Sequence, residues 1–130
     1  MINFEATVYA GDTIRLAIPG LGSLTGVQKI YFSVKRYRYE ADNRSIVHIE
    51  LTDGLLYFNA SEAKDKLHGG ITITDENDGD ISVFLQASES VQIFGATYYC
   101  DVKVVEGDGS VITKMQGELT FEYTITKAVT

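Results

Sequence analysis

The clearest pattern along the chain is a β-hairpin that spans residues 95–126. In its first arm the apolar side chains share one face, and they are Tyr98, Cys100, Val102 and Val104. Alternate side chains of a strand point to opposite faces, so this spacing predicts a strand with one buried face. Residues 106–110 include Asp-Gly, which accepts the positive φ values of a tight turn and therefore predicts the hairpin loop.

The second arm of the hairpin alternates strictly near its end. The side chains that share its apolar face are Leu119, Phe121, Tyr123 and Ile125. Gly117 interrupts the alternation before them, and an isolated glycine in a strand pattern often marks a β-bulge. The pattern therefore predicts a bulge at Gly117, followed by a half-buried strand.

Shorter segments of the same kind occupy the rest of the chain. Alternating apolar positions predict one strand each around Ile14–Ile18, Ile30–Val34, 43–51, 71–73 and 81–85. The apolar residues 2–9 are a candidate edge strand. Only one segment predicts a helix, because Ser61 is a good N-cap and Gly69-Gly70 would end the helix. Residues 87–94 add at most one helical turn. Seven to nine short strands with frequent turns predict an all-β sandwich or barrel.

Composition narrows the class of protein. The chain has 130 residues, of which 45% are hydrophobic and 22% charged, as in ordinary globular proteins. This length predicts one domain, residues 1–130, that needs no disulfide to fold. The net charge of −7 disfavours binding to nucleic acid or to an anionic membrane. The first residues lack the features of a signal peptide, and no apolar run is long enough to span a bilayer, so we expect neither.

One basic and aromatic segment stands out against this acidic background. Residues 35–39 read Lys-Arg-Tyr-Arg-Tyr, a mixture that suits contact with phosphates and stacking on bases. The same residues could instead protect the exposed end of a strand, or form the rim of a protein interface, where Arg and Tyr are enriched. The acidic composition favours the last two interpretations. We therefore predict that Arg36, Tyr37, Arg38 and Tyr39 form an interface.

Other candidate sites have simpler explanations. Residues 75–80 read DENDGD and offer carboxylates to calcium, but the Gly lies at the fifth position and Gln86 stands where a bidentate Glu is expected, so a solvated turn is favoured. His48 and His68 have no second metal ligand at a suitable spacing. Cys100, the one cysteine, is expected to be a buried apolar residue. We therefore predict no catalytic residue, metal or cofactor, and no enzymatic activity.

The hairpin also resembles known proteins. Ala96-Thr97-Tyr98-Tyr99-Cys100 is similar to the sixth strand of an immunoglobulin variable domain, although the chain has one Cys and no Trp, which rules out the disulfide and its tryptophan. The hairpin more closely resembles the immunoglobulin-like N-terminal domain of siphophage baseplate upper proteins and related small tail or head proteins. The residues that carry this resemblance are Gly95, Tyr98, Tyr99, Asp101, Val102, Gly117, Leu119, Phe121, Val129 and Thr130, with Gly11-Asp12-Thr13 near the start. Cys100, where a third tyrosine is usual, and the long insertion at residues 35–67 depart from the pattern.

The resemblance implies a fold and a setting. The fold would be an immunoglobulin-like antiparallel β-sandwich, and the protein a non-catalytic structural component of a phage tail or baseplate. It would be made in the host cytoplasm, form a homo-oligomer, and contact other virion proteins through strand edges and exposed aromatic residues. The alternative is a carbohydrate- or host-surface-binding module, which the same sandwich can support. The absence of Trp weakens a sugar-stacking platform, and an enzyme subunit would need a pocket with paired ionisable groups.

Overall fold

A computed structural model describes residues 1–125, which form an all-β sandwich of ten strands and one short α-helix. The strands are β1 (Ile2–Ala10), β2 (Ile14–Ile18), β3 (Lys29–Lys35), β4 (Val47–Glu50), β5 (Gly54–Phe58), β6 (Ser61–Glu62), β7 (Gly69–Asp75), β8 (Asp80–Leu85), β9 (Ala96–Val105) and β10 (Val111–Tyr123). The helix α1 spans Ala87–Ser90, and two 3-10 turns span Asp42–Arg44 and Lys66–His68. The predicted all-β class is confirmed.

The ten strands are divided between two sheets. The large sheet has the order β1-β10-β9-β3-β4-β5-β6, and the small sheet has the order β2-β8-β7. Neighbouring strands are antiparallel except β1 and β10, which are parallel. The strand count exceeds the predicted seven to nine. One additional strand is the two-residue β6, which is too short to produce a hydrophobic pattern.

The core lies between the two sheets. The small sheet contributes the predicted apolar rows of β2 and β8, and the large sheet contributes the rows of β3, β9 and β10. These side chains pack closely, since a void of only about 10 Å³ separates Leu16 and Val83 of one sheet from Phe32 and Phe121 of the other. Such a void is too small to hold a water molecule comfortably. The alternation of β2, β3, β8 and β9 was therefore predicted correctly, with the predicted face buried.

The hairpin forms as predicted, but its irregularity is elsewhere. The register of β10 against β9 shifts between Thr113 and Met115, while Gly117 pairs regularly with Cys100. The predicted bulge at Gly117 is therefore wrong. Gly117 also lies opposite Phe4 of β1, and a Cβ atom at Gly117 would collide with the Phe4 carbonyl oxygen. The glycine is needed because the backbone of β1 approaches it closely.

The end of the hairpin also departs from the prediction. Strand β10 ends at Tyr123, whose side chain is 54% exposed, and Ile125 is fully exposed. The buried row therefore stops at Phe121, and Tyr123 instead packs at the surface, edge-on against the Phe94 ring with centroids 6.3 Å apart. Thr126, Val129 and Thr130 lie outside the described residues.

The helix predicted at residues 61–69 does not form. Asn59 and Ala60 adopt positive φ values, which reverse the chain so that Ser61 and Glu62 pair with β5. The Asp65 side chain then accepts a hydrogen bond from the Leu67 amide, and the segment makes only a 3-10 turn. A two-turn helix has little intrinsic stability, so strand pairing prevails.

The helical turn expected within residues 87–94 is confirmed as α1. Its buried Ser90 accepts a hydrogen bond from the Gly11 amide at 3.0 Å and donates one to the Asp12 carbonyl at 2.6 Å. The serine therefore stabilises the turn between β1 and β2. Nearby, the Tyr98 hydroxyl donates to the Phe94 carbonyl, a bond like that of the tyrosine corner in immunoglobulin domains.

The contact between Gly117 and Phe4 gives a direct test of the fold. We expect Gly117→Ala to lower the free energy of unfolding by about 2 kcal/mol or more, because a new Cβ must push β1 away from β10. Urea denaturation would measure the change. Gly70→Ala is the matched control, because no atom lies within 4 Å of its added Cβ. Equal effects of the two variants would contradict the assigned β1 register.

Candidate functional site

Polar side chains cross the outer face of the large sheet in one continuous row. The strand register places these residues side by side from β5 to β1: Tyr57, His48, Ser33, Asp101, Gln116 and Asn3. The predicted interface loop, residues 36–39, lies at the end of β3 beside this row. We treat the row and the loop together as the candidate site.

His48 is the most buried polar group of the row. Its side chain is 4% exposed, its Nδ1 lies 2.7 Å from the Ser33 hydroxyl, and its ring stacks on Tyr31 with centroids 5.4 Å apart. The Tyr57 ring contacts its other side. Burial lowers the pKa of His48, and the nearby Asp42 opposes this effect only in part. The histidine is therefore neutral at neutral pH.

An ion pair closes the site beside His48. Lys35 Nζ donates to Asp42 Oδ1 at 2.8 Å and to the Glu40 carbonyl at 2.8 Å. Burial would raise the pKa of Asp42, but the Lys35 hydrogen bond and the positive charges of Lys35 and Lys103 lower it below its usual value. Lys35 thus fixes the start of the loop to the 3-10 turn at Asp42–Arg44.

Ser33, His48 and Asp42 contain the residue types of a hydrolytic triad, but their arrangement favours a structural role. The Ser33 side chain is 6% exposed in the middle of β3, so its hydroxyl is poorly placed to reach a substrate. Asp42 Oδ2 is 4.0 Å from His48 Nε2, too far for a hydrogen bond that would orient the ring. The contacts satisfy a buried histidine rather than activate a nucleophile.

The predicted interface residues form an ordered, projecting loop. Tyr37 and Tyr39 are 54% and 85% exposed, and their rings stack with centroids 5.6 Å apart. The Arg38 guanidinium lies 4.6 Å from the centre of the Tyr99 ring of β9, a cation–π contact. The loop therefore leans over the outer face of the sheet.

Asp101 is a site residue that the sequence alone did not single out as functional. It lies in a pocket of about 90 Å³ between β3, β9 and β10, beneath Arg38. Burial raises the pKa of Asp101, opposed by the charges of Lys103 and Lys35. Its neighbours Ser33 and Gln116 come from other strands, so only the register reveals the cluster.

The other candidate residues have local roles. Asp75 accepts a hydrogen bond from the Asp78 amide, and Asp80 accepts one from the Gly20 amide, as expected of the predicted turn. The carboxylates of Asp75, Asp78 and Asp80 lie within 4.8 Å of one another, but two of the three are exposed. His68 lies between Asp65 and Glu89. Cys100 is buried as predicted, and burial raises the pKa of its thiol to about 12.

Comparison with known proteins adds no family to this picture. No protein-family model matches the chain, and no curated protein matches it. In the described residues, none of the helices has the length and apolar character needed to cross a membrane. The functional interpretation therefore depends on the surface of the sandwich itself.

Neutral, buried His48 predicts a pH dependence of stability. The pKa of His48 is lowered in the folded state, so the unfolded chain binds more protons once the pH falls below the ordinary histidine value of 6.5. The His48 contribution to the free energy of unfolding should therefore be complete well above pH 6.5 and be lost progressively as the pH falls through 6.5. Urea unfolding at several pH values would show this slope. His48→Gln should remove this slope, whereas His68→Gln should retain it. A difference between wild type and His48→Gln that does not change with pH would contradict the assignment.

The Asp101 carboxylate should reduce stability at neutral pH. Its pKa is raised in the folded state, so ionisation at pH 7 opposes folding. We expect Asp101→Asn to unfold at higher urea concentration than wild type at pH 7. The difference in urea midpoint between Asp101→Asn and wild type should narrow as the pH falls through the pKa of Asp101. Asp53→Asn, an exposed loop variant, is the control, and lower stability of Asp101→Asn at pH 7 would show this prediction to be wrong.

Proposed function

We propose that this chain is a non-catalytic structural module of a phage virion, and that it assembles through protein–protein contacts. The observation that carries the proposal is the open edge of the large sheet at β1, beside the projecting Arg36–Tyr39 loop. The resemblance of the hairpin to phage baseplate and tail proteins supplies the virion setting. Partners would be further copies of the chain and other virion structural proteins.

The edge strand β1 is unusually well suited to pairing. It is nine residues long, and no described strand occupies its outer edge. Natural edge strands are commonly protected by shortness, lysine or proline, yet β1 contains neither proline nor a basic residue. At the opposite edge of the same sheet, β6 has only two residues. The contrast favours β1 as the edge that joins another chain.

The side chains of β1 are compatible with a second copy of the same strand. If two copies pair antiparallel about Ala6, Phe4 of one copy lies opposite Val8 of the other, and Glu5 lies opposite Thr7. Like charges do not meet, and the half-buried apolar row becomes continuous across the two sheets. Such a contact has two-fold symmetry, which is the commonest arrangement in homo-oligomers.

The interface loop lies close enough to extend this contact. Arg38 lines the same groove, about 540 Å³ in volume, as Asn3, Phe4 and Glu5 of β1. Tyr37 and Tyr39 flank Arg38 in the chain and are exposed, and exposed Tyr and Arg residues are frequent at the centre of protein interfaces. A strand edge alone buries little area, so the loop would supply the specific contacts.

Light scattering across a range of protein concentrations tests the proposal at low and moderate salt. We expect a concentration-dependent oligomer that Tyr37→Ser and Tyr39→Ser weaken by about tenfold or more, because exposed aromatic anchors carry much of the binding energy. Val111→Ser, which removes a 64% exposed residue near the hairpin loop, should leave the mass unchanged.

A monomer at all concentrations would contradict self-assembly. An equal loss of association in Val111→Ser would contradict the assignment of the interface to Tyr37 and Tyr39. For the virion setting, mass spectrometry of purified phage particles should detect peptides of this chain. Their absence from particles, with abundant protein in the lysate, would reject that setting.

A further inference from the structure

The pocket beneath Arg38 contains polar groups that the fold does not use. It is lined by Ser33, Lys35, Arg38, Tyr99, Asp101 and Gln116. It opens into the larger groove that reaches β1, because Arg38, Gln116 and Gly117 line both. Their volumes, about 90 and 540 Å³, together fall within the range of small-molecule sites.

Asp101 is the central unused group. Within residues 1–125, no donor hydrogen-bonds to its carboxylate and no cation forms an ion pair with it. Lys35 and Lys103 act on it only through their charges. A partly buried carboxylate without a donor from the protein is costly to the fold, and such a group in a pocket is a candidate for ligand binding.

Two donors face the same space. Arg38 is positioned by its contact with the Tyr99 ring, which leaves its N–H groups without a hydrogen-bond partner in the described part of the chain. The side-chain amide of Gln116, which lies opposite Asp101 in the strand register, likewise has no hydrogen-bond partner among the described residues. Lys35, in contrast, is already bound to Glu40 and Asp42.

The charges around the pocket select the class of ligand. Lys35, Arg38 and Lys103 oppose a cation, whereas Asp101 in the pocket and Glu5 and Glu118 along the groove oppose an anion. A neutral ligand that both donates and accepts hydrogen bonds meets neither repulsion. Hydroxyl groups have both capacities, because each can donate a hydrogen bond to a carboxylate and accept one from a guanidinium or an amide.

We propose that this pocket binds a neutral, hydroxyl-rich ligand, specifically a sugar unit of a glycan. Asp101 accepts hydrogen bonds from ligand hydroxyls, and Arg38 and Gln116 donate to ligand oxygens. Recognition depends on directed hydrogen bonds at the pocket rather than on a broad aromatic platform. Sugar binding does not require assembly through β1, but the two share the groove beside Arg38 and would compete for it.

NMR titration of the ¹⁵N-labelled protein tests the proposal. The probes are free glucose, galactose, N-acetylglucosamine and rhamnose, each added to tens of millimolar. At least one sugar should give saturable shifts centred on the amides of Tyr99, Asp101 and Gln116. Asp101→Asn and Arg38→Lys should each weaken binding about tenfold or more, because each loses charge-assisted or forked hydrogen bonds. Lys64→Gln, on a distant exposed segment, should bind as wild type does.

Acetate and methylammonium, at matched ionic strength, separate the neutral class from charged ligands. The proposal is overturned if none of the four sugars gives saturable shifts, or if only acetate or methylammonium saturates the pocket. Unchanged sugar affinity in both Asp101→Asn and Arg38→Lys would also overturn it. A folded spectrum of each variant is required before its titration is interpreted.

Discussion

The register between β9 and β10 is the constraint on which the rest of the structure depends. These strands lie inside the large sheet, with β3 on the far side of β9 and β1 on the far side of β10. A slip of one residue would turn the apolar row of β9 outward and its polar row into the core. The register shift between Thr113 and Met115 marks where the two strands adjust to each other. The pairing of β9 with β10 thus determines both what is buried and what is displayed.

The same register creates two different polar environments on the outer face. His48 is buried, but the Ser33 hydroxyl and two tyrosine rings surround it, so its neutral form is well accommodated. Asp101 lies on the neighbouring strand beside Ser33, and its partly buried carboxylate has no hydrogen-bond donor among residues 1–125. Selection for stability alone would favour a neutral residue there. His48 is thus a structural group, whereas the Asp101 carboxylate is available to a ligand.

The sequence predicted the parts of the fold that depend on local alternation. The buried rows of β2, β3, β8 and β9 follow from period-two spacing, and the hairpin loop follows from its Asp-Gly pair. The bulge at Gly117 was predicted wrongly because the reason for that glycine is the approach of β1, more than one hundred residues away in the chain. The helix at residues 61–69 was predicted wrongly because positive φ values at Asn59 and Ala60 have no clear sequence signal.

The candidate site was only partly predictable, because Asp101, Ser33 and Gln116 become neighbours only through strand pairing. The interface loop was visible in sequence because its residues are contiguous.

The proposed role depends on pairing at the open β1 edge, and amide hydrogen exchange measures directly whether the amides of that edge are hydrogen-bonded. Exchange of residues 2–10 should be compared at low and high protein concentration, with β6 as the internal reference. Pairing with a second copy predicts that alternate amides of β1 become protected as concentration rises, while Ser61 and Glu62 do not change. Exchange in β1 that is independent of concentration in an associating protein would contradict assembly through this edge.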